Sequence, residues 1–371
     1  MLPLRNIAVA ILLIGFVVGG WRVWTLRGQS IDDAAVNSGV TSVVLLTSKG
    51  KSIWIQHQVI AYNSRHDKAR VEVKFVEDRD AMTGILYGRQ RPALWCPDST
   101  LWDERLNNLW TAGHSGSLIG QDEADFRVLM RSPLVFLTTS RKAAFLQPIL
   151  SGPQPWEQID KLASGESTSP WGGFRLGMPT PSASNTGILT LGLAAVEYAR
   201  LHNGGNLTTA LLNDPGFTLY IQHIAQASRV YAGPYELTEA FRKDNGIADV
   251  IVIPESAALD AVRHDNRLSV IYPQPTLDEN NAVSIVDGPW CTQAQLAVAR
   301  DFLGYISRPD AINGLAQYDM RPPMGIDESD IDDELTRYRK QGLQPAYTST
   351  DVPPYAVLNA LTYKWSHVQH G

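Results

Sequence analysis

The sequence predicts an α/β fold in which two lobes each contain a mostly parallel sheet flanked by helices. An apolar run rich in β-forming residues at 41–47 and a second at 71–76 enclose a loosely amphipathic stretch. Strand, helix and strand in this order form a βαβ unit, which requires parallel strands and a right-handed crossover. The composition then turns rich in Gly, Pro and Ser over 151–173, which indicates a crossing into a second lobe.

The composition is that of an ordinary globular protein and excludes two classes of function. The chain has 371 residues, 44% of them hydrophobic and 19% charged. Its net charge of −6, with no run of Lys or Arg, is unsuited to a phosphate backbone, so we expect no nucleic-acid partner. No Gly-x-Gly-x-x-Gly or phosphate-loop motif occurs, and we therefore expect no nucleotide cofactor.

The N-terminal segment 1–27 predicts either a cleaved signal peptide or a membrane anchor. The uninterrupted apolar run 7–18 has the length of a signal-peptide core. Extending it to Trp24, with Arg22 reaching toward the headgroups, gives nearly the length of a membrane span and favours the anchor. Residues 28–40 are small and polar and predict a linker. Either interpretation places the rest of the chain outside the cytoplasm.

The metal-binding and thiol residues are sparse. The cysteines, Cys96 and Cys291, can form one disulfide or remain two separate thiols, and the sequence leaves both possibilities open. The eight histidines show no spacing typical of metal ligands. We therefore expect no metal site and no cofactor.

Hydroxyl-rich residues follow several predicted strands, and they suggest a ligand site. Further strands are predicted at 92–95, 133–139, 248–253, 268–272 and 282–286. Ligands of open α/β sheets bind beyond the carboxyl ends of the strands, so polar groups there should converge on one crevice. The candidates at these ends are Ser48, Ser99, Thr100, Thr138 and Thr139.

The motif PTPSASNTG (179–187) predicts the start of a helix that faces this crevice. It leads into a segment with helical apolar spacing that stops near Gly204. Ser184, Asn185 and Thr186 are good N-cap residues, and a helix N-terminus can receive an anion or polar ligand. Gly187 would let a ligand approach the backbone closely. A capped surface helix without a ligand is the alternative.

Glu255 directly follows the strongest apolar strand of the middle region. It either stabilises the first turn of the next helix or faces the crevice. In the crevice, a carboxylate would repel a fully ionised oxyanion but accept hydrogen from a protonated oxyanion, a polyol or a cationic solute. Asp98 poses the same question, and Lys49 and Lys51 could counter these charges.

Nucleophilic catalysis has weak support in the sequence. The motif GHSG (113–116) resembles a nucleophile elbow around Ser115, but Ser117 stands where the final glycine is needed. A hydrolase remains a minor alternative, and we expect that the chain is not an enzyme.

An ordered set of motifs resembles bacterial extracellular solute-binding proteins of the type II periplasmic binding fold, specifically the branch associated with von Willebrand A-type partners. The motifs span roughly 41–325 and are SKGKS (48–52), PALWCPDSTLW (92–102), SPLVFL (132–137), PSASNTGIL (181–189), YPQPT (272–276), GPW (288–290) and YDMRP (318–322). The resemblance implies two α/β lobes that close on a solute by a hinge motion. By its position in the motif SKGKS, the resemblance also implies that Ser52 contacts the solute.

This resemblance also implies an organisation of the chain and a function. The first lobe would comprise 41–140 and the return segment with C-terminal helices at 273–371, and the second lobe 141–272. Its family members capture a solute for an ABC-type importer or a membrane sensing complex, so a permease or a von Willebrand A-type protein is the implied partner. An interaction subunit that has lost ligand transport is the alternative.

Overall fold

The computed structural model describes residues 39–120 and 122–370, and its strands form one long, mixed sheet. The predicted signal peptide or anchor, 1–27, and nearly all of the linker lie outside these residues. The strands are β1 (Thr41–Thr47), β2 (Ala69–Phe75), β3 (Leu94–Cys96), β4 (Phe126–Thr139), β5 (Leu176–Pro179), β6 (Ser228–Tyr231), β7 (Val250–Pro254), β8 (Leu268–Ile271) and β9 (Asp278–Ile285).

Helices cover both faces of the sheet. They are α1 (Ser52–Asn63), α2 (Asp78–Leu86), α3 (Thr100–Thr111), α4 (Ser140–Leu150), α5 (Pro155–Ser164), α6 (Asn185–His202), α7 (Pro215–Ala227), α8 (Pro234–Lys243), α9 (Glu255–His264), α10 (Gln293–Ile306), α11 (Pro309–Asn313), α12 (Ser329–Arg337) and α13 (Tyr355–His370). Among the described helices, none combines the length and apolar character needed to cross a membrane.

Strand β4 connects two groups of strands. The order across the sheet is β2-β1-β3-β9-β4-β7-β5-β6, with β8 paired to β4. Residues 126–133 of β4 pair with β9, and residues 134–139 pair with β7 and β8. The outer pairs β1–β2, β1–β3, β5–β6 and β5–β7 are parallel, whereas every pair that β4 makes is antiparallel. Strand β4 thus divides the sheet into a first group, β1, β2, β3 and β9, and a second group, β5, β6, β7 and β8.

The strands at the centre of the sheet are buried on both faces, which explains their composition. Every residue of β7 is buried, as are residues 129–138 of β4. Strands covered by helices on both sides have near-continuous apolar sequences rather than alternating ones. At about 25 cal/mol per Å² of apolar area removed from water, this burial is the main stabilising contribution to the fold.

The last two helices, α12 and α13, pack against the second group of strands, whereas α10 and α11 pack against the first. The apolar face of α13, which includes Leu358, Leu361 and Trp365, shares a core with α6 and α7. Ile331 and Leu335 of α12 join the core around β7 and β8. These helices therefore cover the second group of strands, because that group offers the apolar surface that their own faces need.

Asp103 makes the stability of this fold depend on pH. It lies on α3, where Oδ1 accepts a hydrogen bond of 2.8 Å from the Ser284 hydroxyl. Burial raises its pKa from 3.8 to about 8, against the opposing effect of that hydrogen bond. Between pH 3.8 and about 8, the folded protein therefore binds one more proton than the unfolded chain. The stability that the protonated Asp103 contributes is fully present below pH 3.8 and is lost as the pH rises through about 8.

We expect Asp103→Asn to flatten the fall in the free energy of unfolding between pH 5 and pH 9. Each unit of pKa difference corresponds to about 1.4 kcal/mol. Urea unfolding at pH 5, 7 and 9 measures the slope, and Glu104→Gln, at the exposed neighbouring position, is the control. Equal slopes for Asp103→Asn and the parent protein would contradict this assignment.

Candidate functional site

A cavity of about 310 Å³ lies where the two groups of strands face each other. One wall is formed by the residues after β1, by the first turn of α2 and by Asp98 after β3. The other wall is formed by the starts of α6 and α8. The lining residues are Ser48, Lys49, Gly50, Glu77, Asp78, Arg79, Asp80, Asp98, Ala183, Ser184, Asn185, Ala232, Gly233, Pro234, Tyr235 and Glu236. The helix N-termini supply backbone N–H groups to this region.

Lys51 organises one side of the cavity from beneath. Its side chain is fully buried, and Nζ donates to Asp98 Oδ1 at 2.6 Å, Asn281 Oδ1 at 2.8 Å and Ser48 Oγ at 2.9 Å. Ser48 Oγ also donates to Asp98 Oδ1. Burial is the largest single effect and disfavours the ammonium, but the neighbouring acidic groups, Asp98 first among them and Asp78 further on, together outweigh it and raise the pKa of Lys51. The ammonium is therefore held in place as a permanent positive charge below the cavity.

The start of α6 forms part of the opposite wall, as the PTPSASNTG motif predicts. Asn185 Nδ2 donates to Glu279 Oε1 at 3.1 Å, and Thr186 Oγ1 donates to the same oxygen at 2.6 Å. Burial, followed by repulsion from Asp98, raises the pKa of Glu279 to about 8. Ser184 occupies the N-cap position without a side-chain capping bond. Its hydroxyl is thus available to the cavity that it lines.

Gly187 has a different role from the one expected for it. A Cβ at this position would lie 2.5 Å from the carbonyl oxygen of Pro179 and 2.9 Å from the nitrogen of Pro181. The close approach is therefore made by the chain's own backbone before α6, which leaves no space there for a ligand.

Tyr235 closes the cavity from the second wall. It lies in the first turn of α8, behind Gly233 and Pro234, a typical helix start. A Cβ on Gly50 would collide with the Tyr235 hydroxyl. Glycine at position 50 therefore allows the two walls to meet over the cavity.

Of the ten predicted ligand contacts, Ser48, Ser184 and Asn185 line this cavity. Thr186 lies beside it and donates to Glu279.

Ser52, Ser99 and Thr100 lie at helix starts near the cavity but outside its lining. Ser99 caps α3, where its Oγ accepts from the Leu101 N–H at 3.2 Å. Ser52 and Thr100 are the first residues of α1 and α3. All three residues follow the strands β1 and β3, but none of them is among the residues that line the cavity.

Thr138 and Thr139 lie at the far end of the sheet from the cavity. The β4 strand runs antiparallel to β7, so its carboxyl end meets the amino end of β7. Thr138 Oγ1 donates to the Asp249 carbonyl at 2.6 Å, and Thr139 caps α4. Thr139 also lines a depression of about 770 Å³ with Lys142, Arg175 and Asp249 among other residues. That depression is larger, but it is more open and only the second group of strands contributes to it.

Glu255 is buried in an ion pair instead of facing the cavity. Arg321 holds it through two hydrogen bonds, from Nε at 2.8 Å and from Nη2 at 2.9 Å. The hydroxyl of Tyr272 donates to the same carboxylate. Both carboxylate oxygens of Glu255 therefore have hydrogen-bond partners within the protein, and Glu255 does not line the cavity.

The carboxylates of the α2 wall were missed, although the sequence carries a signal for them. Glu77, Asp78 and Asp80 follow β2 directly, at the same edge of the sheet as Ser48. Acidic residues that follow a strand carry the same positional signal as the hydroxyl residues that were predicted. Tyr235 and Glu236 were missed because β6, the short strand before them, was not predicted.

The remaining candidates for chemistry are separate from the cavity. Ser115 is exposed, and the neighbouring His114 stacks on Trp110 with ring centroids 3.7 Å apart. Cys96 and Cys291 are separate thiols, so the alternative without a disulfide is the one observed. Burial raises the pKa of Cys96 to about 12, which makes it a poor nucleophile.

Comparison with other sequences gives distant relatives. No protein-family model matches the chain. An uncharacterized protein of Mycobacterium tuberculosis is 22% identical over 363 residues, which covers 86% of this chain and 49% of the relative. The chain thus spans about half the length of the curated relatives it matches.

Solved structures resemble the chain over most of its length. A substrate-binding protein of an ABC transporter from Agrobacterium tumefaciens is 12% identical, with a TM-score of 0.61, and the match covers 90% of this chain and 95% of that one. The acarbose receptor GacH of Streptomyces glaucescens is 12% identical, with a TM-score of 0.58 and coverage of 90% and 94%. The sulfate-binding protein SubI of M. tuberculosis is 17% identical, with a TM-score of 0.55 and coverage of 83% and 93%.

These neighbours are type II periplasmic solute-binding proteins, and the architecture is theirs. Two groups of strands joined by a long crossing strand, with a cavity where they face each other, match the predicted fold class. The chain therefore has the type II periplasmic-binding-protein-like fold.

Proposed function

We propose that this chain is a noncatalytic solute-binding protein that holds a small polar solute in the 310 Å³ cavity. One observation supports the proposal above all: the first turns of helices from both groups of strands converge on this single cavity. Solute-binding proteins form the matching structures, and their names include sulfate, iron and acarbose among the ligands. A handful of hydrogen bonds in such a site is enough for micromolar affinity after ordering costs.

The proposed location is outside the cytoplasm, with delivery to or sensing by a membrane partner. A membrane permease of the ABC type is one partner class, which the transporter-associated neighbours support. A von Willebrand A-type protein is the other, and the sequence resemblance supports it. The apolar segment 1–27 would serve as signal peptide or anchor.

An interaction subunit without solute transport is the second candidate. The curated relatives are about twice as long as the match, so the matching part acts there beside another region. In this alternative the cavity takes no solute and the protein acts through a stable membrane complex.

A thermal-shift screen of oxyanions, amines, sugars and amino acids tests the proposal. We expect at least one solute to raise the melting temperature by several degrees, since a ligand at about 100 times its Kd adds about 2.7 kcal/mol of stability. The double variant Ser184→Ala plus Asn185→Ala should lose this shift, while Asn359→Ala, on the exposed side of α13, should keep it.

Two outcomes distinguish the solute-binding function from the interaction subunit. A shift that persists in the double variant would contradict the cavity as the site. No shift with any solute, together with the same stable partner captured by the parent protein and the double variant, would favour the interaction subunit.

A further inference from the structure

The cavity has an excess of groups that accept hydrogen bonds. Its lining carboxylates are Glu77, Asp78, Asp80, Asp98 and Glu236, whereas its lining cations are Lys49 and Arg79. The ammonium of Lys51 adds a third positive charge nearby, but its three hydrogens already have acceptors. The walls therefore carry more negative than positive charge.

Two of the acceptors are buried and lack a hydrogen-bond partner within the described residues. Asp78 Oδ2 accepts from the Asp98 N–H at 3.0 Å, but Oδ1 has no partner. The amide of Asn185 is oriented by its donation to Glu279 and to the Asp98 carbonyl, which leaves Asn185 Oδ1 also unpartnered. Both side chains are only 4% exposed and line the cavity. Buried polar atoms without partners are rare, and a ligand donor would satisfy these two.

An aromatic ring completes the environment on the opposite wall. Tyr235 lines the cavity next to the carboxylate of Glu236. Tyr235 is 41% exposed, and the face of an aromatic ring attracts cations at exposed as well as at buried positions. Negative charge, free acceptors and an aromatic ring together suit a donor-rich, positively charged group.

We propose that the solute of this cavity is a small organic cation with a protonated amine, which donates to Asp78 Oδ1 and Asn185 Oδ1. This inference rests on the proposed solute-binding function and narrows it to one class. A fully ionised dianion is disfavoured, since the lining carboxylates outnumber the lining cations even when Asp78 is protonated.

Ionisation of Asp78 couples this binding to pH. Burial and the Asp98 carboxylate raise the pKa of Asp78 well above its ordinary value. A bound cation favours the carboxylate and releases its proton, so the affinity for an amine should rise with pH. The other charged groups around Asp78 are Lys51, Lys49, Glu77, Arg79, Asp80, Asp98, Glu236 and Glu279.

Calorimetric titration of the full chain with matched solutes tests the class. Each set shares one carbon skeleton and differs in its end groups, as in 1,4-diaminobutane, 1,4-butanediol and succinate, with longer and shorter sets and amino sugars beside their sugars. We expect an amine to bind at least about tenfold more tightly than its matched alcohol and acid.

Two variants test whether Asp78 is responsible for the binding of the amine and for its dependence on pH. Asp78→Asn should weaken amine binding about tenfold and reduce its rise between pH 6 and pH 8.5. Asp67→Asn, the same change at an exposed turn outside the cavity, should leave both unchanged. Circular dichroism and the melting temperature confirm that each variant is folded.

The outcomes distinguish the inference from the function on which it rests. Tighter binding of an alcohol or acid than of its matched amine would overturn the cationic class and leave solute binding intact. Amine binding that Asp78→Asn does not weaken would also overturn it. Absence of binding by every class would count against the solute-binding function itself.

Discussion

Replacing Arg321 with alanine is expected to lower the free energy of unfolding by about 3–5 kcal/mol, because it strands a buried carboxylate. Arg321 and Glu255 are 0% and 1% exposed in their side chains. The guanidinium also donates to the carbonyls of Gln344 and Pro345 at 3.0 and 2.8 Å and to Glu328 at 3.1 Å. One side chain thus joins the first residue of α9 to the segments on both sides of α12.

Urea unfolding at pH 7 measures this loss. Arg337→Ala is the matched control, because Arg337 is 73% exposed and pairs with Glu334 on the surface of α12. An exposed pair of this kind contributes less than about 1 kcal/mol. Adding Glu255→Met to Arg321→Met should recover part of the loss, since no unpaired charge then remains buried. A loss of less than about 1 kcal/mol in Arg321→Ala would contradict the assigned role.

Lys51→Met is expected to cost about 2–4 kcal/mol of folding stability, somewhat below the loss expected for a fully buried pair. The side chain of Lys51 is 0% exposed and that of its partner Asp98 is 26% exposed, so water can solvate part of the stranded carboxylate. Asn281 would also lose a hydrogen-bond donor in the interior. The variant therefore disturbs the floor of the cavity together with the fold.

The neighbouring Lys49→Met serves as the control for this variant. Lys49 is exposed, and loss of its charge should change the free energy of unfolding by less than about 0.5 kcal/mol. The comparison by urea unfolding removes any general effect of replacing a lysine with methionine in this turn. Equal losses for the two variants would show that Lys51 does not hold the network described above.

Local sequence signals predicted those elements whose formation depends on nearby residues. The β1-α1-β2 unit is present, and the capping box of Thr292 and Gln295 starts α10 with both of its hydrogen bonds. The short strands β5 and β6 were missed, as each has four residues and is paired to strands distant in sequence. The first half of β4 was also missed, because its strand conformation is stabilised by hydrogen bonds to the distant strand β9. Short strands depend on such tertiary pairing more than on propensity.

The lining of the cavity was predicted in part for the same reason. Ser48 follows β1, and Ser184 and Asn185 stand at the start of α6, so the local order of strand and helix indicates where they lie. Thr139 and Glu255 lie away from the cavity, because the antiparallel course of β4 against β7 depends on how distant segments cross. No local pattern reveals that Arg321 will reach Glu255 across 66 positions of sequence.

A crystal structure of the full chain with a solute selected by thermal shift would show whether the cavity between the two groups of strands holds the solute. We expect the solute to lie between α2 and α6, within hydrogen-bond distance of Asp78 and Asn185. A solute bound instead in the depression beside Thr139 and Arg175, with the cavity unchanged, would contradict this expectation.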